Sequence, residues 1–266
     1  MQSTKSRIDI AREGFMKKEK DLSLAAHTKK TIQASINHKE GHKTSFNLPE
    51  IILGGQDGLV NVLGVILGVA AATGDTRIVV IAGLAATFAE SISMGAVAYT
   101  ATLAEVDYYH SEHEREKWEI EHFPKGEKEE VRSLYKRYGF KGDLLEKIVD
   151  TITSDKKVWL EVMMNQELKL EPVDRGSALQ KAFIVGISAV IGSFIPLTPY
   201  FLFSVKDATV VSLFFSAFVL FAIGYYKARV TLGRKLISQG LQMMVIGMVS
   251  AIVGYFIGTL FKITGF

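Results

Sequence analysis

The chain has 266 residues, 48% of them hydrophobic, with 31 Lys and Arg against 28 Asp and Glu and no cysteine. Disulfides and thiolate metal sites are therefore excluded, and any bound metal must be held by oxygen, nitrogen or thioether groups. The apolar residues are gathered into blocks instead of recurring with a period of 2 or 3.6, which argues against a soluble core and for a bilayer.

The first fifty residues are mostly polar and carry ten Lys and Arg. They lack a basic, apolar, small-residue leader of cleavable type, so no signal peptide is expected and the first span must itself direct insertion. This tail is expected to be partly disordered or to lie on an anionic inner leaflet, with His27, His38 and His42 solvated. Five apolar blocks then reach the roughly 20 residues that a helix needs to cross a bilayer core of about 30 Å. They are Ile51 to Gly74, interrupted only by Asp57; Ile78 to Ala104, interrupted only by Glu90; and the uncharged runs Ala182 to Val205, Ala208 to Tyr226 and Leu236 to Phe261.

Lys and Arg alternate between the connections, with one at Arg77, thirteen in 105 to 175, one at Lys206, four in 227 to 235 and one at Lys262. Basic residues are retained on the cytoplasmic side, which puts the N-terminus, the 105–175 segment and the 227–235 loop inside and the C-terminus outside. Pro196 and Pro199 are expected to end or kink the third span. Gly54 with Gly58, Gly64 with Gly68, and Gly254 with Gly258 are small-xxx-small pairs that serve equally a contact between subunits or packing within one.

The segment from 105 to 175 holds eighteen Asp and Glu against thirteen Lys and Arg, so it can accumulate cations while the rest of the chain is positive. Its breakers predict helices over 105–122, Glu127 to Tyr138 and about Asp143 to Leu170. Glu105, Glu112, Glu116 and Glu119 fall on one stripe of the first, where like charges repel. Either Arg115, Lys117 and other basic residues compensate them across a solvated face, or a metal ion does. Glu127 and Glu130 on the next helix, and Met163, Met164 and Glu167 on the last, give the metal reading a possible site of three converging helices. Carboxylates bind divalent ions and thioethers bias a site toward transition metals, although a Met stripe by itself is more often packing. Asp107 with His110 and Glu119 with His122 have the i, i+3 spacing of ferritin-like di-iron sites, but both pairs lie on one helix where such sites need two. No phosphate loop, serine triad or nucleic-acid motif competes.

Within the membrane, Asp57 and Glu90 each call for a partner, a wet cavity or a proton, because a carboxylate near the midplane costs at least about 2.5 kcal/mol. Met94 lies one turn beyond Glu90 and can share its face. Asp57, Glu90 and Met94 would offer two carboxylates and a sulfur along one polar path, and protons would compete with metal for the same oxygens.

The run ILGGQDGLVNVLGVILGVAAATG, then SISMGAVAY, EVDYYHSEHEREKWEIEHFPKGEKEEV and VMMNQEL, closely resembles the vacuolar iron transporter family over about residues 50 to 266. The resemblance implies an all-α membrane protein, a homodimer of five-helix subunits with a cytosolic three-helix metal-binding domain between spans 2 and 3. It implies ferrous iron exported from the cytosol in exchange for protons. The corresponding domains are a tail over 1–49, spans 1 and 2 over 50–104, the metal-binding domain over 105–176 and spans 3 to 5 over 177–266. By position, Asp57 and Met94 match the family's intramembrane metal path and Glu50 its acidic cytosolic entrance. Glu116, Glu119, Glu127, Glu130, Met163, Met164 and Glu167 match its cytosolic metal ligands. One position departs: the plant-type second-span glutamate falls at Ala86, and the acid here is one turn before Met94, at Glu90, where it is expected to act as a substitute.

Three functions follow as expectations. The first is a divalent-metal transporter for Fe(II), with Mn(II) close behind, working with lipid, protons and metal ions and without nucleic acid or a prosthetic group. The second is a membrane-anchored ferritin-like iron oxidase or storage protein, and the third a structural or sensory protein whose acidic insert docks a basic partner. The expected location is a prokaryotic cell membrane rather than a vacuolar one.

Overall fold

A computed structural model describes residues 7–29, 47–231 and 235–262, and no strand occurs among them. Along the chain run α1 (Arg7–Lys17), α2 (Lys20–Ala26), α3 (Leu48–Thr73), α4 (Thr76–His122), α5 (Pro124–Arg137), α6 (Gly142–Thr153) and α7 (Lys156–Val162). A π-helical turn at Met163–Glu167 follows, then α8 (Ser177–Leu197), a 3-10 turn at Thr198–Phe201, α9 (Val205–Thr231) and α10 (Leu236–Leu260). They form two compact units, Met1–Thr87 with Val190–Phe266, and Phe88–Ala189.

In the first unit, the described part of the tail, residues 7–29, forms a helical hairpin of α1 and α2. Lys18 takes φ 54° in the turn, and Gly14 lets α2 approach so closely that a Cβ there would lie 2.6 Å from Ser23 Oγ. His27 is exposed and its Nδ1 meets the Ser23 carbonyl at 2.7 Å; His38 and His42 lie outside the described residues.

Helix α3 starts with Pro49 in its first turn, where a missing N–H costs nothing. It stops at Gly74, whose φ of 65° suits a residue without Cβ and whose N–H reaches the Ala70 carbonyl at 3.0 Å. Asp75 Oδ1 then accepts the N–H groups of Arg77 at 2.7 Å and Ile78 at 3.3 Å, starting α4 at once. At the far end of α8, Pro196 and Pro199 give way to the 3-10 turn, and the Ser212 hydroxyl donates to the Pro196 carbonyl at 2.7 Å.

Among the described residues, five helices are long and apolar enough to cross a membrane: Leu48–Thr73, Thr76–His122, Ser177–Phe201, Val205–Thr231 and Leu236–Leu260. Their packing inverts that of a soluble bundle. On α9 the buried stripe is Ala208, Ser212, Ser216, Leu220, Gly224 and Ala228, whereas Phe214 and Phe218 point outward with 71% and 66% of their surface free. Small residues on the inside let helices approach, and large apolar ones outside suit lipid, where an exposed patch of that kind would make a soluble protein aggregate. Helices α3 and α10 meet through glycine: a Cβ on Gly258 would collide with the Gly68 carbonyl, and one on Gly254 with that of Gly64. Both small-residue pairs are thus used inside the chain.

In the second unit, α4 and α8 cross where Gly95 faces Ala182 and Gly186 faces Ser91, each with room for a Cβ only at 3.2 Å from a carbonyl oxygen. At about 1.5 Å per residue, the 47 residues of α4 measure about 70 Å, more than twice a bilayer core, so its polar end from Glu105 onward extends beyond the apolar stretch. Ile120 near that end packs with Val131, Leu145, Val149, Trp159 and Met163 into a core shared with α5, α6 and α7. Arg132 of α5 grips both oxygens of Glu146 on α6 at 2.9 Å, and Lys128 meets Asp150 at 2.6 Å. The single helix expected over about Asp143 to Leu170 is interrupted: Asp155 is extended and its carboxylate accepts from Lys157 and Val158, capping a new helix.

Candidate metal centre

The acidic stripe of α4 meets α5 and the π-helical turn inside the second unit. Glu116 and Glu127 are 2% and 6% exposed, Glu119 is half-buried, and one carboxylate oxygen from each of the three falls within 4.8 Å of the others. Glu116 faces inward because it follows Val106 and precedes Ile120 on the helix face that the core covers. Glu127 comes in the first turn of α5, which Pro124 starts immediately after the N–H of Phe123 closes α4 on the Glu119 carbonyl at 2.7 Å. Glu167 ends the wide turn in which Leu168 N–H reaches back to the Met163 carbonyl at 3.1 Å. π-Helical turns recur at functional sites, where the extra residue re-aims side chains.

Arg115 supplies the nearest positive charge. Its guanidinium donates to Glu112 at 2.8 Å, to Glu116 Oε1 at 2.7 Å and to Glu119. The compensation expected from Arg115 is therefore real but partial. Glu116 Oε2, Glu127 Oε2 and Glu167 Oε2 are buried with no hydrogen-bond partner among the described residues. A buried ionised carboxylate without partners is strongly unfavourable, so such groups hold a proton or a cation. Burial first, then the charges of Glu116, Glu130, Glu119 and Glu167, push Glu127 up to about 8. Burial and the Glu130 carboxyl beside it push Glu167 up to about 7, with Arg137 pulling the other way. Glu116 is raised by burial against the opposing pull of Arg115. Near neutral pH Glu127 and Glu167 exchange protons readily, and a divalent cation of the right size would displace those protons.

The other expected ligands are placed as follows. Glu130 is exposed but lies against Glu167. Met163 and Met164 are fully buried at the start of the π-helical turn; Met163 belongs to the apolar core with Trp159, which is the packing role of a thioether. Glu105 is exposed on α4 and Glu112 is held by Arg115. The histidines of the ferritin-like spacing are turned aside: His110 meets the Tyr109 ring, and His122 stacks on Trp118 with centroids 4.3 Å apart, its Nδ1 2.8 Å from the Trp118 carbonyl. Glu50 is half-buried in the first turn of α3, and Asp57 is half-buried two turns on, beside the buried Gly54 and Gly58. Glu90 and Met94 are half-buried one turn apart on α4, in the second unit. The π-helical turn was not foreseen, and residues 163–167 carry no sequence signal for it.

Five membrane-length helices, with Asp57 and Glu90 set within the apolar stretches of two of them, and a buried carboxylate cluster define a polytopic membrane protein built to handle cations. The VIT family model matches residues 48–259, and the chain belongs to that family. A relative from Arabidopsis thaliana named vacuolar iron transporter 1 is 36% identical over 217 residues, 81% of this chain and 86% of its own. The protein of that name from Oryza sativa subsp. japonica is 34% identical over 221 residues, covering 82% and 87%. A Plasmodium falciparum relative named vacuolar iron transporter is 32% identical over 263 residues, 95% of each chain. These are plant and parasite proteins, and they give the expectation of a prokaryotic membrane no support.

Proposed function

We propose that this chain is a metal transporter that carries ferrous iron out of the cytosol in exchange for protons, with Mn(II) as a second cargo. The observation that carries the reading is the set of buried, unpartnered oxygens of Glu116, Glu127 and Glu167, in a chain whose relatives are named vacuolar iron transporters. Glu116, Glu119, Glu127, Glu130 and Glu167, with Met164 and Met163 behind them, collect the ion on the cytosolic side; Glu50 and Asp57 of the first unit, and Glu90 and Met94 of the second, are the residues that handle it on its way through the membrane. Carboxylates with pKa values lifted to about 7 and 8 lie where protons and a divalent ion compete, which supports coupling between them. The working unit in this reading is a homodimer.

Proteoliposomes loaded with an Fe(II) indicator test the reading. Uptake that grows with an opposing pH gradient and vanishes in Asp57→Ala is the expected result. Sealed vesicles that admit no divalent metal, or an Asp57→Ala protein that transports like the parent, would overturn it.

A further inference from the structure

We propose that Arg115 is a built-in counter-ion of the carboxylate cluster, which holds the site together when it is empty and competes with the divalent ion for Glu116 and Glu119 when it fills. The proposal rests on the metal-transport reading above. Its guanidinium bridges three carboxylates of α4, at 2.8 Å from Glu112, 2.7 Å from Glu116 Oε1 and on Glu119. Glu116 and Glu119 belong to the trio whose oxygens converge within 4.8 Å, and Glu112 does not. The fork of one arginine therefore spans the boundary of the site, with one foot on ligands and one outside.

Three features make this a competition rather than a fixed brace. The Arg115 side chain is 42% exposed, so it can withdraw into water. Glu112 gives it a second seat: when an ion takes Glu116 and Glu119, the guanidinium keeps a partner at the rim. A guanidinium also never loses its proton at working pH, and the carboxylates around it strengthen its hold on that proton, so only movement can remove its charge. Glu127 and Glu130 on α5 and Glu167 after α7 face the same cluster, and Arg137 is a further cation that acts on Glu167. Arg115 leaves Glu116 Oε2 and Glu127 Oε2 without a partner, so an ion that reaches the cluster finds unbonded oxygens beside a like charge. The consequence is a site of moderated affinity, as a carrier that must release its ion requires.

The two tryptophans, Trp118 and Trp159, both lie in the second unit, so quenching of their fluorescence by Mn(II) reads that unit alone. The full-length protein in detergent is titrated with Mn(II) as wild type, Arg115→Gln and Arg115→Lys, each with a thermal melt. Wild type is quenched, Arg115→Gln reaches half-quenching at about tenfold lower Mn(II) or less, and Arg115→Lys, which keeps the charge, stays within about threefold of wild type. A purely structural role would instead weaken binding in Arg115→Gln. An unchanged or weaker midpoint in Arg115→Gln overturns the counter-ion role and leaves the metal reading standing. Should Arg115→Gln fail to fold, Arg115→Lys decides by itself, since a change beyond threefold removes charge as the cause. Absence of any quenching in the wild type removes both the metal site and this proposal.

Discussion

Glu127 shows how one position sets the pH behaviour of the cluster. Its pKa rises from the ordinary 4.5 to about 8 in the fold, so the folded metal-free protein binds more protons than the unfolded chain between those values. Its contribution to stability is therefore lost as pH rises through that window, and Glu167, at about 7, acts in the same direction. The melting temperature of the metal-free protein, followed by circular dichroism, is expected to fall from pH 5 to pH 8.5. Saturating Mn(II) is expected to flatten that slope, because the ion replaces the protons. Glu127→Gln removes the charge while keeping the shape: the metal-free protein becomes more stable at pH 8, and Mn(II) binding weakens about tenfold to a hundredfold, as read by tryptophan quenching. The sequence placed Glu116, Glu119 and Glu127 among the candidates but left open whether Arg115 or a metal balanced them. Spacing along a helix fixes which side chains share a face, whereas the oxygens left over after Arg115 has bonded depend on the depth of burial.

At the scale of the element, α3 and α10 are held by glycine contact and not by interlocking side chains. Gly254→Leu forces the Gly64 backbone away, and such overpacking costs about 1–3 kcal/mol, read as a lower melting temperature in detergent. Ser212→Ala leaves the Pro196 carbonyl unpaired inside the bundle, a loss of about 1 kcal/mol in the same assay. The five spans were legible because a bilayer demands about 20 apolar residues in a row, and nothing else in a sequence imitates that. Gly54, Gly58, Gly64, Gly68, Gly254 and Gly258 were equally visible, but their partners were not: small residues permit close approach without naming what approaches. The break at Asp155 has a local cause, an Asp whose carboxylate caps the N–H groups of Lys157 and Val158, and a reading of Pro and Gly breakers alone passes over it. The π-helical turn had no such mark, because its extra residue is accommodated by the packing of Met163 against Trp159.

For the molecule as a whole, the cluster and Asp57 belong to separate compact units, which gives them separable roles. Asp57→Asn is expected to abolish Fe(II) transport in proteoliposomes while leaving Mn(II) quenching of Trp118 and Trp159 unchanged. Loss of quenching in that variant would show that the two sites act as one. Helices α4 and α8 each have residues in both units, and α4 carries Glu90 and Met94 in its apolar stretch and Glu116 and Glu119 in its polar end. By itself the amino-acid sequence determined the five apolar spans, the acids set into two of them, the acidic insert and the family. Each of these is a property of composition or order along the chain, and the solvent preference of each block enforces it locally. Only the tertiary structure decided that Glu116, Glu119 and Glu127 converge, that Arg115 satisfies some of their oxygens and leaves others bare, and that the paired glycines close α3 onto α10. Those outcomes depend on which surfaces meet, and the free energy of meeting lies in burial and contact between residues far apart in sequence.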